Sequence, residues 1–72
     1  MSFRPNSRSN PPDRTILVRD LRAAYRALTA AHSRLNEVTD PDAVDATVFE
    51  LAAIERRIRL LRRLLASGVS LE

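Results

Sequence analysis

The stretch Val38-Thr39-Asp40-Pro41-Asp42-Ala43-Val44 constrains the fold more than any other part of the chain. Pro41 has no backbone N–H, and its ring clashes with a preceding helical turn, so a regular helix through it is broken. The ring also pushes Asp40 out of the α region toward extended backbone. Asp40 is therefore suited to be an N-cap, with Pro41 at the first helical position, where its missing donor costs nothing. Thr39 with Asp42 offers a second, overlapping cap of the capping-box kind. Asp42 and Asp45 are expected in the first turn, where negative charge suits the positive end of a helix dipole. Upstream, apolar periodicity runs through Leu35 and Val38 and stops, leaving only a few residues between two helices. So short a connection joins antiparallel neighbours. A single helix kinked at Pro41 is the minor alternative.

Apolar spacing fixes the two helices. Helix 1 is predicted over about 13–37, with Asp13 as its N-cap. Leu17, Leu21, Ala24, Leu28, Ala31, Leu35 and Val38 step alternately by four and three, a heptad seam. Val18, Tyr25 and His32 widen the seam on one flank, and Arg19, Arg22, Arg26, Thr29 and Ser33 form the wet face. Helix 2 is predicted over about 41–67, after a turn at 38–40. Its seam is Val44, Thr47, Leu51, Ile54, Ile58, Leu61 and Leu65, followed by Gly68 as a C′ residue. A second, partial stripe lies on another side of helix 2: Ala46, Phe49, Ala53, Leu60 and Leu64. Residues 1–12 are polar, Pro-rich and aperiodic, and are predicted to be a disordered arm. Phe3, Arg4 and Arg8 are a docking motif only on a minor reading. The tail 69–72 lies outside the predicted hairpin, and its Leu71-Glu72 resembles a cloning remnant.

The fold class follows: all-α, an antiparallel two-helix hairpin. A lone hairpin covers only the facing stripes, so the second stripe of helix 2 would stay in water. Self-association completes the bundle, most simply as a two-fold homodimer of four helices. Charge placement agrees. Between residues 36 and 50 there are five acids and no Arg, whereas residues 1–35 carry seven Arg and residues 51–72 carry five. Both basic segments meet at the open end of a hairpin and the acids sit at its turn. Hairpins docked in opposite directions lay each acidic tip beside a basic end, which selects orientation.

Composition excludes several classes. The chain has 72 residues and no Cys, so disulfide frameworks and thiolate metal sites are out. No apolar run approaches the roughly 18 residues of a membrane span, and no signal-peptide core is seen, so a cytoplasmic protein is expected. The net charge of +3 is modest for a dedicated nucleic-acid binder. All twelve basic residues are Arg, a bias that GC-rich coding alone produces. Asp40, Asp42 and Asp45 lack the Gly-containing loop that a Ca²⁺ site of six to eight oxygens uses, and read as helix-capping charge. No cofactor or metal is expected. His32 has no second His and no nearby acid to make it a catalytic base. Tyr25 is one aromatic where a stacking platform needs several.

Leu35-Asn36-Glu37-Val38-Thr39-Asp40-Pro41-Asp42, then Val44-Asp45, Val48-Phe49, Leu51, Ala53, Glu55-Arg56-Arg57 and Leu60-Leu61 resemble the YaaL-like family of small uncharacterised proteins from Gram-positive, spore-forming bacteria. The family segment runs roughly FNxVTDPxLIDxxIYxLxAAExRYxYLL, and the resemblance covers about residues 35–65. Leu35 stands where the family has Phe, and Ile58 and Leu60 where it has Tyr, so a stacking role for those aromatics is not carried over. The resemblance implies a bacterial cytoplasmic protein and supplies no mechanism.

Two functions compete. The first is a non-catalytic helical module that self-associates and binds another, unidentified protein. The second is a small nucleic-acid-associated protein using the Arg-rich helix end, with Arg19, Arg22, Arg26, Arg56, Arg59 and Arg63 as candidate phosphate contacts. An enzyme is a distant third. An all-helical enzyme of this size needs charged groups in its core, and the seams here hold one polar residue, Thr47.

Overall fold

The computed structural model describes residues 13–67 as two α-helices, α1 (Arg14–Glu37) and α2 (Pro41–Ala66), packed side by side as an antiparallel hairpin. Among the described residues there is no strand. The predicted arm 1–12, with Phe3, Arg4 and Arg8, lies outside the described residues, as do Gly68 and the tail 69–72.

Both helices start the way their sequences dictate. Asp13 is extended (φ −69°, ψ 132°), and its Oδ1 accepts from the Thr15 N–H at 3.0 Å. Asp40 is extended too (φ −70°, ψ 130°), and its Oδ2 accepts from the Ala43 N–H at 3.0 Å. Each carboxylate satisfies one of the orphan donors of a first turn. Pro41 opens α2, and Asp40, not Thr39, is its cap. Of the two acids expected in the first turn only Asp42 lies there; Asp45 falls beyond it. α1 ends at Val38, whose N–H donates to the Arg34 carbonyl at 3.0 Å before the backbone turns extended. α2 ends one residue earlier than predicted: Ser67 is its C-cap, with its hydroxyl donating to the Leu64 carbonyl at 2.8 Å. Arg34 and Arg63 lie in the last turns of their helices, at the negative ends of the dipoles.

The seams pack as their spacing requires. Leu17, Ala24 and Ala31 of α1 are buried, seven residues apart, and Leu21, Leu28 and Leu35, each four residues after one of them, are half-buried. In α2, Thr47, Leu51, Ile58 and Leu61 are buried, with Val44, Ile54 and Leu65 half-buried. The buried cluster of Leu17, Ala24, Ile58 and Leu61 lies toward the open end, and Leu21, Leu28, Ile54, Leu64 and Leu65 pack against it. Toward the turn the seam narrows to Ala31, Thr47 and Leu51. Thr47 hides its hydroxyl by donating to the Ala43 carbonyl one turn back, at 2.8 Å. No large side chain is fully enclosed among the described residues. Two helices make a core one layer deep.

Candidate interaction surface

With the seams placed, the remaining sides of each helix follow at about 100° per residue. Two ion pairs decide which sides face the same way. Arg34 of α1 bonds Glu50 of α2, and Arg57 of α2 stands 3.8 Å from Asp20 of α1. Both pairs bridge the helices on one side of the hairpin. On that side α1 carries Ile16, Ala23, Ala27 and Ala30, and α2 carries Ala46, Ala53, Leu60 and Leu64. A shallow groove between the helices there is lined by Asp20, Ala23, Ala24, Ala27, Ile54 and Arg57. Phe49 stands at the outer edge of this face and is 75% exposed. Leu60 is 42% exposed and Ile16 43%.

The outer stripe of α2 does not behave as one unit. Ala46, Phe49, Ala53 and Leu60 are exposed, but Leu64 is half-buried and packs on the core cluster. Near the open end it folds over the seam, so this residue of the predicted oligomer stripe serves the hairpin itself.

The opposite face is charged. It carries Val18, Tyr25 and His32 of α1 and Val48 of α2, among Glu55, Arg59 and Arg62. Tyr25 and Val48 are large hydrophobics left exposed, and His32 is exposed as well. Val48 and Ile16 are apolar residues that lie off both predicted stripes, where three-and-four spacing gives no signal.

The six candidate phosphate contacts are all exposed, but they do not converge. Arg19, Arg22 and Arg26 point away from α2, and Arg56, Arg59 and Arg63 point away from α1. The two sets occupy opposite outer edges, about two helix diameters or 20 Å apart. A single patch built from both is therefore not formed within one hairpin. Arg19 and Arg22 do share a depression with Arg14, Thr15 and Val18 at the start of α1.

Among the described residues no three of His, Cys, Asp and Glu gather as a metal site, and no helix is long and apolar enough to cross a membrane. The chain matches no family model, no curated protein and no solved structure.

Proposed function

We propose that this chain is a non-catalytic helical module that self-associates, most simply as a homodimer, and presents the assembled bundle to another protein. The observation that carries the reading is Phe49, 75% exposed on a helix whose inner side is already filled. Together with Leu60 and Ile16 it leaves an apolar face that a monomer keeps in water, and such faces mark interaction sites. Sedimentation equilibrium across a hundredfold range of concentration tests it: the mass rises from one chain to a defined multiple. A mass of one chain throughout sinks it. Membership of the YaaL-like family, and with it a bacterial cytoplasmic setting, belongs to the same proposal, resting on the residues from Leu35 to Leu61.

A second reading is favoured by the depression lined by Arg14, Arg19 and Arg22 at the positive end of α1. Under it the chain is a small nucleic-acid-associated protein gripping phosphates at its Arg-rich end. Phosphate contacts make affinity fall steeply with salt. No binding to DNA or RNA fragments at about 50 mM salt removes this reading.

A further inference from the structure

Along α2 the exposed stripe has a centre. Ala46, Ala53 and Leu60 are seven residues apart, and Ala53 stands midway along the helix that spans Pro41–Ala66. We propose that the face bearing the Arg34–Glu50 and Asp20–Arg57 pairs is where a second copy of the chain docks. The two α2 helices run in opposite directions, and Ala53 crosses its own copy on the two-fold axis. This rests on the self-association proposed above and adds to it a face, a direction and a register.

Three observations select that arrangement. First, a two-fold interface must be self-complementary: if one residue meets a second, the second meets the first. Running in opposite directions about Ala53, the stripe sets Ala46 against the second copy's Leu60, small against large. Docking in the same direction stacks Leu60 on Leu60 and leaves a gap at Ala46. Second, same-direction docking also brings two acidic turns together, each with Glu37, Asp40, Asp42, Asp45 and Glu50. Opposite docking lays each turn beside an Arg-rich open end, and like-charge juxtaposition is what rejects the wrong partner geometry. Third, four charges lying between the helices on this face are already paired, Arg34 with Glu50 and Asp20 with Arg57. Covering them does not strand a lone charge, which is the costly outcome.

The chain contains no Cys, so a single introduced thiol reports only on its own copy. A disulfide forms only where the two Cα atoms come within about 7 Å. In the full-length chain, Ala53→Cys is expected to oxidise almost wholly to a covalent dimer on a non-reducing gel. Val48→Cys, on the opposite face, should do so at least about tenfold more slowly, since effective concentration collapses when geometry forbids contact. An equimolar mixture of Ala46→Cys and Leu60→Cys chains should give the mixed disulfide ahead of either self-disulfide. If the chain sediments as a dimer but cross-links through Val48→Cys in preference to Ala53→Cys, the face is wrong and self-association stands. If Ala46→Cys pairs with itself faster than with Leu60→Cys, the direction is wrong. A wild-type chain that stays a monomer at every concentration removes this inference and the self-association together.

Discussion

Along the inner side of α2, Thr47, Leu51, Ile58 and Leu61 are each less than a tenth exposed, while on its outer side Phe49 is 75% exposed. The residue types on the two sides are similar. What separates them is the neighbour: α1 fills the inner side with Leu17, Ala24 and Ala31, and nothing in a single hairpin fills the outer one. The hairpin therefore depends on one set of aliphatic residues and can spare the other. That makes the outer set available for another task.

Substitutions should split along this divide. Leu61→Ala removes a side chain at the centre of the buried cluster. It should cost about 2–5 kcal/mol, enough in so thin a core to lose most of the helical circular dichroism at 25 °C. Phe49→Ser should leave the helical signal of the hairpin intact and weaken self-association by about tenfold or more, as loss of an interface anchor does; sedimentation reads the change. If Phe49→Ser melts the chain as Leu61→Ala does, the two sides are not separable and the comparison fails. Asp40→Ala touches neither side. It removes the carboxylate that caps α2 and should cost about 1 kcal/mol, seen as a lower midpoint in urea with an unchanged slope. Arg34→Ala should give the smallest effect. Its pair with Glu50 is nearly half exposed on both partners, so a loss of about 0.5 kcal/mol or less, shrinking further as salt is added, is expected of the free hairpin. A larger loss at concentrations where the chain is dimeric would place that pair inside the interface and sharpen the contrast.

The hairpin could be read from the chain because its signals are local. A carboxylate before Pro41 and another before Arg14 set the helix starts, and steps of three and four residues set the seams. Each depends on residues within a turn or two of one another. The outer surface was less legible because it depends on how two helices are rotated about their axes. Which flank of α1 joins the stripe of α2 became visible only through Arg34–Glu50 and Asp20–Arg57, partners far apart in sequence. Leu64 and Leu60 are the same residue on the same stripe, yet only Leu64 sits where the open end lets it fold onto Leu61 and its neighbours. The arginines mislead for a related reason. Antiparallel pairing brings Arg19, Arg22 and Arg26 to the same end as Arg56, Arg59 and Arg63, but the rotation of each helix about its axis turns the two groups to opposite edges.

The brevity of the link between α1 and α2 has a kinetic consequence. Leu35 and Val44, the last seam residue within α1 and the first within α2, need only a very short loop to close before they meet. Each later pair, Ala31 with Thr47 and then Leu28 with Leu51, adds a few residues to a loop already shut, so its entropic cost is slight. The chain can therefore zip from the bend outward through near-neighbour contacts, the topology that folds fastest. The large aliphatic cluster at the far end then closes last.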